Sequence, residues 1–107
     1  MATSRSEYAP SLLQEDTSYC YVCGRRDRKL DRHEIFPGPY RQKSKEYGLW
    51  VCLCHEDCHE GKRGVHANRE LRERLSAEAQ EAAMEAYSWS VDDFRTVFGK
   101  DWRCRTE

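Results

Sequence analysis

The sequence predicts a small α+β domain cross-linked by metal ligation, with a long helix in its C-terminal half and a short final helix. Three observations set that class. The chain has 107 residues, 35% charged against 38% hydrophobic, so its apolar core is thin and needs added cross-links. Six cysteines can supply them, and four stand in two close pairs. Residues 67–87 then carry apolar side chains at helical spacing.

Residues 1–17 lack periodicity, include Pro10 and several Ser and Thr, and are expected to form a flexible arm with a short docking turn at Leu12 and Leu13. Residues 18–107 form the single domain, with a motif core over 20–66 and a helical extension over 67–107. Tyr19-Cys20-Tyr21-Val22-Cys23-Gly24 has the form of a zinc knuckle, its glycine allowing a tight turn beneath the thiolates. Residues 30–36 are apolar at their ends with Asp31, Arg32, His33 and Glu34 between, a strand that brings ionisable groups to a cleft; Pro37-Gly38-Pro39 ends it. Residues 40–48 read as a polar loop. Leu49-Trp50-Val51-Cys52-Leu53 is a short buried strand that delivers Cys54.

The helix over 67–87 places Leu71, Leu75, Ala79, Ala82, Ala83, Ala86 and Tyr87 near one face, with Asn68 as its N-cap. Ser90 caps a shorter helix with Val91, Phe94, Val97 and Phe98 on its apolar face and Gly99 as its stop.

The polar N-terminus shows no export signal, and no stretch approaches the ~20 apolar residues of a membrane span. The expected compartment is the cytoplasm, with no membrane partner. There, paired cysteines serve metal binding or redox chemistry rather than disulfides. A thioredoxin-like role for Cys20 and Cys23 lacks the βαβ pattern it needs. Cys20, Cys23, Cys54 and Cys58 instead make the four thiolates of a closed structural Zn²⁺ site. His55 or Asp57 could replace one of them, because the second spacing is one residue longer than usual. Cys52 is expected to pack as a small apolar side chain and Cys104 to be a free thiol.

A net charge of −1 argues against a protein that coats nucleic acid through a large positive field. The distribution is less neutral. Residues 24–45 hold eight basic side chains against three acidic ones, whereas residues 67–107 hold seven against nine. Within and beyond the basic stretch, Arg41, Lys43, Lys45, Lys62 and Arg63 are candidates for holding phosphates, or else solvated surface charges. Tyr40, Tyr47 and Trp50 read as core or groove wall.

All four histidines, His33, His55, His59 and His66, fall between or just after the knuckles. They can form a second metal site with an open coordination position. The plainer alternative makes His33 a strand histidine with a local hydrogen bond and His66 a residue leading into the helix.

Cys-x-x-Cys-Gly, His33-Glu34-Ile35, Leu53-Cys54, Cys58-His59 and Gly64-Val65-His66 together resemble the HNH endonucleases, and in particular small phage-type HNH proteins linked to recombination. The flanking stretches 41–48 and 98–100 share that likeness. The resemblance implies a treble-clef, ββα-metal core and phosphodiester hydrolysis on DNA, with recombination proteins as further partners and a bacterial host cytoplasm as the setting. It places one catalytic divalent ion (Mg²⁺, Mn²⁺, Ni²⁺ or Zn²⁺) on His33, His59 and His66, and the general base on Glu34. The family's usual residue there is histidine, whose pKa suits proton abstraction near neutrality; a shifted assignment makes His33 the base and Glu34 a ligand, and another gives the base to His55. The family's central Asn has no counterpart beside Gly48 and Leu49. A catalytically degenerate HNH-fold module that binds DNA or protein is the alternative function. A homodimer through the long helix would suit the cutting of both strands.

Overall fold

A computed structural model describes residues 8–103. Cys104 and the first seven residues of the expected arm lie outside them. The architecture is α+β: strands β1 (Leu30–Glu34) and β2 (Trp50–Cys54) pair antiparallel in register from Leu30 opposite Cys54 to Glu34 opposite Trp50. Between them a 3₁₀ turn, Gly38–Tyr40, runs into the short helix α1 (Arg41–Glu46). A single π-helical turn, His55–His59, follows β2 directly, and α2 (Arg69–Tyr87) and α3 (Val91–Phe98) complete the fold.

The core lies between the hairpin and helices α2 and α3. Val51 and Leu53 of β2, Leu75 and Ala79 of α2, and Phe94 and Phe98 of α3 are all at 1% exposure or less. Phe36, just past β1, joins these layers, its ring centroid 4.7 Å from that of Phe98 and 5.1 Å from that of Trp102. Burial of each such aromatic or aliphatic side chain contributes about 1.5–3 kcal/mol, concentrated where helix and sheet meet. Ser76 and Gln80 are buried on α2 among the apolar positions, whereas Ala86 and Tyr87 stay exposed. The Gln80 amide is satisfied, donating to Asp101 at 2.9 Å and accepting from the Trp102 N–H at 2.7 Å.

The caps follow the local sequence. Asn68 Oδ1 accepts from the Leu71 N–H, Ser90 and Asp93 form a reciprocal capping box, and Gly99 closes α3 at φ 88°. A side chain at Gly99 would also run into the Tyr40 ring.

Two elements differ from expectation. The stretch expected to be loop after Tyr40 forms α1, because Ser44 is fully buried and its hydroxyl accepts from the Phe36 N–H at 2.9 Å. Residues 8–17 of the expected arm lie against the hairpin. Gln14 is 3% exposed and accepts from the Cys52 N–H, the Trp50 indole donates to Ala9 O at 2.7 Å, and the Ser11 hydroxyl donates to Trp50 O. That segment covers the free edge of β2 largely through polar bonds to its backbone, a form of docking that hydrophobic periodicity does not signal. Among the described residues, no helix is long and apolar enough to cross a membrane.

Candidate metal centres

The first knuckle turns back on itself through a Gly24 N–H to Cys20 O bond of 2.8 Å, with Gly24 at φ 77°. β2 ends on Cys54, and the π-helical turn sets Cys58 beside it. The four sulfurs of Cys20, Cys23, Cys54 and Cys58 lie within 4.8 Å of one another, and Cys23 and Cys54 are 3.7 Å apart. Two thiolates at ~2.3 Å from one tetrahedral ion are about 3.8 Å apart, so the cluster fits a metal ion. Amide groups already point at the sulfurs: the Cys23 N–H toward Cys20 Sγ at 3.5 Å and the Cys58 N–H toward Cys54 Sγ at 3.3 Å. Burial raises the Cys58 and Cys23 thiols, reinforced by neighbouring sulfurs. Cys20 is also pushed up by burial, but backbone N–H groups outweigh this and bring it down to about 7. Four crowded thiols of this kind ionise together only around a cation.

Cys52, buried on β2, lies outside this set, as its reading as a packing residue requires.

The second cluster is built on alternation along β1. Asp31 and His33 share one face of the strand, and Arg32 and Glu34 the other. His33 meets His59 from the π-helical turn and His66 from the loop before α2, with ring centroids 5.4 and 5.6 Å away. His59 Nε2 and His66 Nε2 are 3.0 Å apart, close to the ~3.3 Å that two nitrogens on one tetrahedral zinc require. Burial, and then the nearby His59 and His66, push His33 down to about 4. It is therefore a neutral imidazole with a lone pair to offer.

Two glycines make the loop between His59 and His66 possible. A Cβ at Gly61 would stand 2.5 Å from Glu56 O, and one at Gly64 2.6 Å from Asp57 O, so only glycine lets the loop fold under the turn. The Val65 N–H donates to Cys58 O at 2.8 Å and closes the loop. Arg72 fastens it to α2 by donating to Val65 O and His66 O, both at 3.1 Å.

Glu34, the expected base, is 7% exposed and, by strand alternation, stands on the other face of β1 from His33, at the rim of a cleft shared with the histidines. Its two oxygens accept from the Tyr8 hydroxyl at 2.8 Å and from Arg41 Nε at 2.6 Å. Burial alone would raise its pKa, but these bonds and the Arg41 and Lys45 charges hold it below the ordinary carboxylate value. The Tyr8 phenol is correspondingly pushed up to about 12, by burial first and then by Glu34. Among the described residues, Glu34 belongs to none of the donor clusters close enough to hold a metal ion.

No protein-family model, curated protein or solved structure matches this chain.

Two openings flank the histidines. A 330 Å³ cleft runs from His33 and His66 past Arg69 and Arg72 to Lys100 and Trp102. A second, of 350 Å³, runs from His59 past Glu34 to Arg41. Of the cations singled out in the sequence, only Arg41 lines either one. Lys43 donates to Val97 O, Lys45 lies over the Tyr8 ring, and Lys62 and Arg63 border a separate hollow with Asp57. Arg69, Arg72 and Lys100 escaped the sequence reading because they sit in a region of net acidic charge. The available signal was Arg69 and Arg72 standing three and six residues after His66, at one helical spacing from each other. Asp31 was also missed as a site residue, though strand alternation pairs it with His33. One of its oxygens faces the Nδ1 atoms of both His55 and His59, the latter at 2.8 Å.

Proposed function

We propose that this chain is an HNH-type, metal-dependent DNA phosphodiester hydrolase. In this reading Zn²⁺ staples Cys20, Cys23, Cys54 and Cys58, and a catalytic divalent ion sits on His33, His59 and His66. The observation that supports it best is the convergence of those three imidazoles at the junction of two open clefts, both lined by cations. An ion held there supplies Lewis acidity toward the scissile phosphate and its leaving oxygen.

The chain's own residues do the rest. Arg69, Arg72 and Lys100 on one side and Arg41 on the other hold backbone phosphates flanking the scissile one. Arg41 has a second effect. A phosphate that takes over its Nε–H leaves Glu34 Oε1 free to accept a proton from water, so substrate binding prepares the base.

The locked state of Glu34 favours a second reading, a catalytically degenerate HNH-fold module that uses the same clefts to bind DNA or a protein partner. Plasmid cleavage with Mg²⁺, Mn²⁺, Ni²⁺ or Zn²⁺, compared among wild type, His33→Ala, Glu34→Ala and His66→Ala, separates the two. The hydrolase reading expects metal-dependent nicking that His33→Ala and His66→Ala abolish. Cleavage indifferent to all three substitutions refutes the site. Retained DNA binding with no cleavage under any metal selects the binding module.

A further inference from the structure

His59 has two ring nitrogens, and both are directed at clusters of donors. Nε2 faces His66 and His33. Nδ1 faces Asp31 Oδ2 at 2.8 Å, and the same oxygen contacts His55 Nδ1. Asp31, His55 and His59 each place a ligand atom within 4.8 Å of the others. A second carboxylate stands by, Glu60 Oε1 lying 3.6 Å from His59 Nδ1.

We propose that Asp31, His55 and His59 Nδ1, with Glu60 in reach as a fourth donor, form a second divalent-metal site joined to the three-histidine site through the His59 ring. This inference rests on the three-histidine ion of the proposed function. The donor set is two imidazole nitrogens and carboxylate oxygen, which suits a borderline ion such as Zn²⁺. Asp31 supplies carboxylate charge to this ion alone, while Glu60 Oε1, also 3.9 Å from His66 Nε2, stands between the two sites. Solvent reaches the site: the His55 side chain is 41% exposed and borders a 200 Å³ hollow beside Arg28 and Lys29. When both ions are bound, His59 gives its Nδ1 proton to solvent and coordinates through both nitrogens as an imidazolate. The competing arrangement for the same atoms is a carboxylate that accepts the Nδ1–H of a ligating histidine and holds no ion.

Zinc per folded chain, measured by elemental analysis after dialysis against buffered free Zn²⁺, decides between them. The full chain is expected to hold three ions: one on the cysteines, one on each histidine site. Asp31→Asn and His55→Ala should each lower the count to two, and His59→Ala to one. His33→Ala should lower it to two by emptying the three-histidine site. His55 is exposed enough that its substitution leaves folding intact, which circular dichroism checks. Two zinc ions in wild type, unchanged by His55→Ala and by Asp31→Asn, overturn the second site and leave Asp31 as a hydrogen-bond acceptor only. A count lowered by His55→Ala but not by His33→Ala instead overturns the three-histidine site.

Discussion

Replacing Glu34 by Gln tests whether this carboxylate is a structural clamp or a free base in the resting protein. The glutamine keeps the shape and loses the charge. Its single carbonyl oxygen can accept from Tyr8 or from Arg41, and its NH₂ group then faces the remaining donor. A hydrogen bond to a charged group contributes ~1.5–3 kcal/mol. The Tyr8 end deserves the lower part of that range, about 1.5 kcal/mol. The Arg41 end must be discounted to about 0.5 kcal/mol, because the Arg41 side chain is 69% exposed and water screens the pair. The expected loss is ~2 kcal/mol, or a fall of about 10 °C in Tm for a domain this size. Because Glu34 titrates below its ordinary value when folded, its contribution is present above pH ~4.5 and disappears as pH falls through the lowered folded value. The Tm gap between wild type and Glu34→Gln, followed by circular dichroism, should therefore close in acid. A gap of less than ~1 °C at pH 7, or one that stays constant down to pH ~3, would refute the clamp.

Other outcomes follow from the same structure. Cys54→Ser, or a strong chelator acting on wild type, should abolish the cooperative melt, since structural zinc binding of ~10–16 kcal/mol matches or exceeds the ~5–15 kcal/mol stability of a typical domain. With no ion on the three-histidine site, His33 bears on acid stability: between pH 6.5 and about 4 the unfolded chain takes up a proton that folded His33 refuses. Up to about 3 kcal/mol, present above pH 6.5, is therefore lost as pH falls toward 4. Denaturant midpoints against pH should show this slope and His33→Gln should flatten it. If the protein cleaves DNA, Lys100→Ala and Arg69→Ala should each raise KM by about tenfold, ~1.4 kcal/mol of phosphate binding. Lys62→Ala should leave KM within about twofold, because Lys62 borders a different hollow.

What the sequence made legible was chemistry written locally. The knuckle glycine, the strand that ends on Cys54, and the caps at Asn68, Ser90 and Gly99 each act within a few residues, and each stands where the residues suggested. Helix α1 was not legible, because Arg41–Glu46 is wholly polar and is held by one buried hydroxyl. The docking of residues 8–17 was legible only at Leu12 and Leu13, which meet Gly48 O and the core, and not at Gln14, which finds a backbone amide 38 positions away. Within the site, the histidines stood out by their crowding. The split between His33 and Glu34 is a consequence of strand alternation, which neighbouring letters hide. The basic residues were grouped by sequence proximity, whereas the fold sends Lys43, Lys45 and Lys62 to separate places and brings Arg69, Arg72 and Lys100 to the histidines.

Cys58 and His59 are consecutive, and the glycine loop that carries His66 is closed onto Cys58 O. With zinc on the four sulfurs, as proposed, that arrangement would couple the assembly of the two clusters. Asp31 orients the His59 ring and Arg72 ties the loop bearing His66 to α2, but both pieces hang from Cys58, so drawing the four sulfurs together around an ion would set where they meet His33. As free metal declines, this chain would not shed its ions one by one from a stable frame. In the proposed metal-bound state the sulfur-bound ion would act as a keystone, and the histidines would lose their alignment at the threshold set by that one ion.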